Sequence, residues 1–182
     1  MRKNSIIMLS LRAVLVAVYV VLAMCAIPVG GIKLTFEHFP VVLAAVVYGP
    51  LDAVVIGGVG EFINQMLTFG ITPTTALWIL PIIVRGLMVA LVVRWFKNMS
   101  TAAIIKKQIP FAFVILCVVS GLISSLLNTL ALYVDSKMFG YYSFAMVFGA
   151  LSVRLLSSAI TSLVIGIAIK SILHALSRAK LI

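Results

Sequence analysis

The sequence predicts an all-α integral membrane protein, built as a bundle of six transmembrane helices. Hydrophobic residues make up 64% of its 182 residues and charged residues only 10%, whereas a soluble domain has about 45–50% apolar and about 25% charged residues. The apolar residues fall in runs, and several runs reach the roughly 20 residues that a helix needs to cross a bilayer. We therefore expect a single membrane domain over residues 1–182.

The first predicted spans follow from apolar runs and the breaks between them. The first run is retained as a span, because it is too long for a signal peptide and lacks a small-residue cleavage site. Pro28 ends it, and the alternating apolar residues at 32–36 predict a short extended segment over the mouth of the bundle. Gly49 and Pro50 then divide a short second span from the third.

Polar stretches separate the later spans. Pro81 is expected to loosen the fourth span, and a basic segment at 94–108 separates the fourth span from the fifth. The sixth run is longer than a perpendicular span requires, so this helix is expected to tilt or to extend beyond the bilayer. The predicted spans are residues 5–27, 39–48, 51–68, 76–93, 109–134 and 144–172.

The net charge of +10 indicates membrane topology rather than binding to nucleic acid. Only Lys33 and Lys137 lie in the loops on one side of the predicted bundle. Arg12, Arg85 and Arg154 lie within spans, and the remaining basic residues lie near the two termini or in the segment after span four. Because cytosolic loops carry an excess of Lys and Arg, both termini are predicted to be cytosolic.

Span three carries a polar stripe. Glu61, Asn64, Gln65 and Thr68 recur at i, i+3, i+4 and i+7, which is the spacing of one helix face. A charged group at the bilayer centre costs at least about 2.5–3.5 kcal/mol, and such groups usually mark functional sites. The stripe runs toward the end of span three that the topology places outside. It therefore predicts a pocket that is reached from the external side.

Other polar and aromatic residues are predicted to complete this pocket. Convergent amide groups beside aromatic rings suit a small, flat, polar ligand. The alternative is that Glu61 and Arg85 form a buried ion pair, joined by Arg154, which holds the helices together. The candidate ligand-binding residues are Glu61, Asn64, Gln65, Trp78, Arg85, Asn128, Arg154, His38 and Tyr141.

Catalytic motifs are missing from the sequence. It contains no HExxH, no GxSxG and no paired catalytic carboxylates, and no motif that binds ATP, so energy for transport would come from a partner. Cys25 and Cys117 lack metal-ligand spacing, and neither a metal nor a cofactor is expected. The alternative class is a small membrane enzyme that uses His38 and Glu61 as an acid/base pair, or an assembly factor.

Two blocks of sequence resemble a known family. They are KLTFEHFPVVLAAVVYGPLDAVVIGGVGEF at 33–62 and ITPTTALWILPIIVRGL at 71–87. With six predicted spans and the pair Ala13 and Ala17 on span one, they make the chain similar to the substrate-capture subunits, or S components, of energy-coupling factor (ECF) vitamin importers. The YGP turn followed by a glycine-rich span is the most specific part of this resemblance.

The resemblance implies a bacterial cell-membrane protein that binds one water-soluble vitamin at its outer side. It also implies docking on a membrane scaffold subunit that carries two cytosolic ATPases, with Ala13 and Ala17 in the contact and toppling in the membrane to release the cargo. The resemblance also implies that residues of spans four, five and six and of the outer loops hold the ligand, with Arg85, Asn128 and Arg154 as counterparts by position only.

The blocks resemble members assigned to hydroxymethylpyrimidine or pyridoxine. Glu61 and Asn64 could accept hydrogen bonds from an aminopyrimidine or a ring hydroxyl, which agrees with that assignment. Folate is the first alternative, because Arg85 and Arg154 could bind its two carboxylates, and pantothenate is the second.

Overall fold

A computed structural model describes residues 2–29, 32–95 and 111–178. Helices dominate this part of the chain, and two short strands pair in antiparallel register between the first two helices, with Ile27 opposite Leu34. The elements are α1 (Arg2–Met24), β1 (Ile27–Val29), β2 (Ile32–Leu34), α2 (His38–Val47), α3 (Pro50–Thr68), α4 (Thr75–Trp95), α5 (Phe111–Met138), α6 (Phe144–Phe148) and α7 (Leu151–Arg178).

Four stretches of the described chain are long and apolar enough to cross a membrane. They are Ile6–Met24, Thr75–Trp95, Phe111–Met138 and Phe144–Leu173, and α2 is a shorter apolar helix. Helix α3 has 19 residues but is not in this set, and it contains two carboxylates and two side-chain amides. The protein is therefore a multi-pass membrane protein by the length and composition of its helices.

The predicted sixth span, 144–172, is not one continuous helix. The structure divides it into α6 and α7 at Gly149 and Ala150. A Cβ atom at Gly149 would clash with the carbonyl oxygen of Ala145, so the backbone there approaches the preceding turn more closely than another residue would allow. The apolar run alone does not reveal this break.

Two sequence predictions fall on residues that the structure leaves undescribed. The start of the predicted fifth span at residue 109 and the basic residues Lys97, Lys106 and Lys107 lie outside the described residues. Helix α5 is described from Phe111 and extends to Met138, beyond the predicted end at 134.

The helices pack as a bundle whose buried centre lies around α2, α3 and α4. Helix α3 contacts α1, α2 and α4, while α5 packs against α4 and α7. Val41, Ala53, Ile56 and Val89 are fully buried between these helices. Close packing of small and branched side chains gives the bundle its core and fixes the relative positions of the polar groups described below.

Helix α1 lies at the edge of the bundle and packs mainly against α3. Within residues 6–24, whose side chains are described, Tyr19 alone is buried, and Ala13 and Ala17 are exposed on the opposite face. An ion pair between Arg12 and Asp52 also joins α1 to α3.

Candidate functional site

A cavity of about 740 Å³ lies at one end of the bundle. Its lining comes from the last turns of α1, the C-terminal halves of α3 and α5, and the first parts of α2, α4 and α7. Leu34 at the end of β2 and Thr35 also line it. The volume is in the range of small-molecule sites, about 300–1,000 Å³. This end is therefore the candidate binding site.

Glu61 is the central polar group of the cavity. Its Oε2 accepts hydrogen bonds from the Tyr19 hydroxyl at 2.8 Å and from Asn64 Nδ2 at 3.2 Å, and its Oε1 accepts one from Gln65 Nε2 at 2.7 Å. Because a carboxylate offers about four lone-pair sites, these contacts leave Oε1 able to accept one further donor. The side chain is 8% exposed and lines the cavity.

The polar stripe of α3 faces the cavity as a unit. Glu61, Asn64, Gln65 and Thr68 all belong to the lining. Helical spacing places them on one face, and the contacts of α1, α2 and α4 turn that face toward the cavity. The Thr68 hydroxyl lies 3.5 Å from Asn64 Oδ1, so the stripe is linked by side-chain hydrogen bonds along its length.

The opposite wall presents hydroxyl groups from α5 and α7. Their protons are donated to backbone carbonyls: Thr129 to Ser125 at 3.0 Å, and Ser158 to Gly121 at 2.8 Å. The hydroxyl of Thr161 likewise donates to Ser157 at 2.9 Å. A hydroxyl whose proton is used in this way offers only lone pairs to a ligand. This wall therefore acts mainly as a hydrogen-bond acceptor.

Arg154 lines the cavity beside the break between α6 and α7. Its Nη1 donates to the carbonyl of Val147 and its Nη2 to that of Met146, both at 3.1 Å. Carbonyls at a helix end lack intrahelical partners, so the guanidinium satisfies groups that the break sets free. Arg154 thus joins two elements and places a positive charge at the cavity.

His38, Trp78 and Asn128 complete the predicted residues that line the cavity. The Nε2 atom of His38 lies 3.9 Å from Glu37 Oε1, and its Nδ1 is buried without a hydrogen-bond partner in the described part of the chain. Seven of the nine predicted ligand residues therefore lie at one cavity, and their role in binding stays a prediction.

Arg85 is not part of the cavity lining. It is 1% exposed, and its Nη2 donates to the hydroxyl of Ser162 at 2.8 Å. Within the described residues no ion pair joins Arg85 to Glu61. The hydrogen bonds of Glu61 come from Tyr19 and from the side-chain amides of Asn64 and Gln65. The buried ion pair considered as an alternative explanation of these two charges is therefore not the arrangement that the structure shows.

Tyr141 also lies outside the cavity lining, in the loop between α5 and α6. Its hydroxyl donates to Asp135 Oδ2, while the hydroxyl of Thr74 donates to Asp135 Oδ1. The hydrogen bond to Asp135 raises the pKa of Tyr141 to about 12. Asp135 thus ties the loop that precedes α4 to the loop that follows α5, at the same end of the bundle as the cavity.

Tyr19 was missed by sequence reasoning. An aromatic residue in an apolar span is expected to pack against lipid or neighbouring helices, and nothing in its local pattern indicates a carboxylate partner 42 residues away. The hydroxyl wall of α5 and α7 was likewise not predicted as part of the site. The i, i+1, i+4 spacing of Ser157, Ser158 and Thr161 is the signal that would have indicated a polar face.

The fold and cavity define a class: a multi-pass membrane protein with a polar cavity of small-molecule size at one end of a helical bundle. The family described as ECF transporter, substrate-specific component, matches residues 8–180, and the chain belongs to that family. No curated protein matches the chain. The protein is thus a substrate-binding S component of an ECF transporter, and it works with ECF-module partners in a membrane.

Proposed function

We propose that the protein captures a small heterocyclic vitamin bearing hydrogen-bond donors, with hydroxymethylpyrimidine or pyridoxine as the best candidates, for ATP-driven import. The observation that carries this proposal is an acceptor site on Glu61 Oε1, inside the cavity, that no described residue occupies. An exocyclic amine or ring hydroxyl would donate to Oε1, and a charge-assisted hydrogen bond of this kind is about twice as strong as a neutral one.

The remaining lining supports a ligand of the same chemistry. Ser158 and Thr161 present lone pairs, because their protons are used by backbone carbonyls. A hydroxymethyl group could donate to this wall, while Trp78 supplies an aromatic surface at the cavity. The site therefore matches a flat ring with polar substituents on two edges.

The charged groups that line the cavity favour hydroxymethylpyrimidine or pyridoxine over folate. Folate carries two carboxylates, and the second positive group invoked for it, Arg85, lies outside the cavity lining. Among the lining residues that the structure describes, Glu37 and Glu61 supply two carboxylates and Arg154 supplies one guanidinium, so a dianion would meet more negative than positive charge there. Pantothenate carries a single carboxylate that Arg154 could bind, which makes it the second candidate.

We extend the proposal to topology and partners. Helices α2 and α3 are proposed to complete a six-span bundle, because both pack among the membrane-length helices. The charge asymmetry of the sequence supports cytosolic termini, which would open the cavity to the outside of a bacterial cell membrane. Ala13 and Ala17 are exposed on α1, as docking on a scaffold subunit with two cytosolic ATPases would require.

The decisive experiment identifies the ligand. Protein purified without added vitamin would be denatured and its extract analysed by mass spectrometry. The vitamin-free protein would then be titrated by calorimetry with hydroxymethylpyrimidine, pyridoxine, pantothenate and folate. We expect binding of one of the first two without ATP. Binding of pantothenate or folate but of neither preferred vitamin, or of none of the four, would overturn the proposed substrate. Chemical conversion of a bound compound would favour the enzyme alternative.

A further inference from the structure

Tyr19 connects the peripheral helix α1 to the centre of the cavity. It is 1% exposed and is the one buried side chain of residues 6–24. Its hydroxyl reaches across the interface between α1 and α3 to Glu61 Oε2 at 2.8 Å. Because the bond involves a buried carboxylate in a region of low dielectric, it is stronger than an exposed hydrogen bond of equal length.

A glycine on α3 makes this reach possible. A Cβ atom at Gly60 would lie 2.6 Å from Cδ1 and 2.7 Å from Cγ of Tyr19. Real Cβ atoms do not approach carbon so closely, so the ring lies directly on the backbone of Gly60. Glu61 is the next residue, and the closeness of the two helices is what brings its carboxylate within reach of the tyrosine hydroxyl.

The carboxylate is thereby held in one orientation. Tyr19 and Asn64 occupy Oε2, and Gln65 occupies one site on Oε1. Two of these donors, Asn64 and Gln65, come from the same helix as Glu61 and move with it. Among the described donors Tyr19 is the one that comes from another helix, so it links the orientation of Glu61 to the position of α1.

We propose that Tyr19 is a positioning residue for vitamin binding. It orients Glu61 so that the free site on Oε1 faces the cavity, and it makes vitamin affinity depend on the placement of α1. The inference rests on the proposed function, because it assigns Glu61 as the acceptor for the vitamin. Tyr19 itself does not line the cavity and acts through Glu61.

A double-mutant cycle tests this role. Affinity for hydroxymethylpyrimidine and for pyridoxine would be measured for the unchanged protein, Tyr19→Phe, Glu61→Gln and the double variant. We expect Tyr19→Phe to weaken binding by about tenfold when Glu61 is present and by less than about twofold when it is replaced, because coupled residues are not additive. Equal losses in both backgrounds would show a merely structural role and overturn the proposal.

A pair of glycine variants tests the same geometry without touching a polar group. Gly60→Ala should displace the Tyr19 ring and lower affinity as Tyr19→Phe does. Gly58→Ala is the matched control on the same helix, since its Cβ would lie at an ordinary 3.6 Å from Ile83 Cδ1. Equal affinity for the two alanine variants would contradict the inference.

Thermal unfolding without vitamin separates this inference from the proposed function. It would be measured for the unchanged protein, Tyr19→Phe, Glu61→Gln and the double variant. If the changes in unfolding temperature caused by Tyr19→Phe and Glu61→Gln are not additive in the double variant, the link between α1 and the carboxylate is supported. Additive changes overturn it. If the unchanged protein binds neither vitamin, the proposed substrate fails, and the ligand-free cycle still decides whether Tyr19 positions Glu61.

Discussion

Arg85 donates a hydrogen bond to Ser162 and so joins α4 to α7 inside the bundle. Its Nε and Nη1 have no hydrogen-bond partner in the described part of the protein, and it does not line the cavity. The sequence predicts a ligand contact for this residue, and that prediction stays open. The observed position favours a role in packing between helices.

We expect Arg85→Met to leave vitamin affinity within about twofold. Arg85 is a buried charge without an ion pair among the described residues, and an uncompensated buried charge is costly, so the unfolding temperature should stay equal or rise. Calorimetric titration and thermal unfolding in detergent would measure both, with Ser162→Ala as the control that removes only the acceptor. A large loss of affinity with unchanged stability would instead place Arg85 among the ligand contacts.

Glu61→Gln should lower vitamin affinity by about ten- to a hundredfold, the range for losing a hydrogen bond to a charged group. The substitution keeps the size of the side chain but replaces a charged acceptor. Asp52→Asn is the matched control, because Asp52 lies on the same helix and pairs with Arg12 away from the cavity. Asp52→Asn should reduce stability and leave vitamin affinity unchanged. A loss of affinity in Asp52→Asn with none in Glu61→Gln would contradict the assignment of Glu61.

The contact between Tyr141 and Asp135 should depend on pH. Because the folded-state pKa of Tyr141 is raised from 10.0 to about 12, the hydrogen bond contributes fully below pH 10 and is lost as pH rises toward 12. Tyrosinate absorbance should show this late titration in the unchanged protein and not in Asp135→Asn.

At neutral pH, Tyr141→Phe and Asp135→Asn should both speed vitamin dissociation, since each frees the loop after α5. Stopped-flow measurement of release would check this. Tyr142→Phe is a suitable control, because its ring contacts Tyr133 and Lys137 rather than Asp135. Equal release rates in all four proteins would show that the loops do not retain the vitamin.

Ala13→Trp and Ala17→Trp should each abolish uptake of the vitamin by cells and leave its binding to the protein unchanged. Both side chains are exposed on α1, so the larger ring fits the isolated subunit but would prevent close approach of a partner helix. Ala112→Trp, at an exposed position of α5, is the control for added bulk. Uptake of labelled vitamin in cells that contain the ECF module would measure the effect, and normal uptake would exclude these alanines from docking.

Local patterns in the sequence are enough to predict the class of protein and the chemistry of one helix face. Composition and apolar runs indicate a membrane bundle because the bilayer requires long apolar helices with internally satisfied backbones. Helical periodicity alone places Glu61, Asn64, Gln65 and Thr68 on one face. These features depend on residues that are close together in the chain, so a short stretch of sequence carries enough information to reveal them.

The neighbours that this face meets depend on the tertiary structure instead. Arg85 and Glu61 look equivalent as charges inside spans, yet one contacts Ser162 and the other Tyr19. Periodicity fixes the spacing of side chains along a helix but not the rotation of that helix against its partners. That rotation is set by packing between residues far apart in sequence, as the contact of Tyr19 with Gly60 shows.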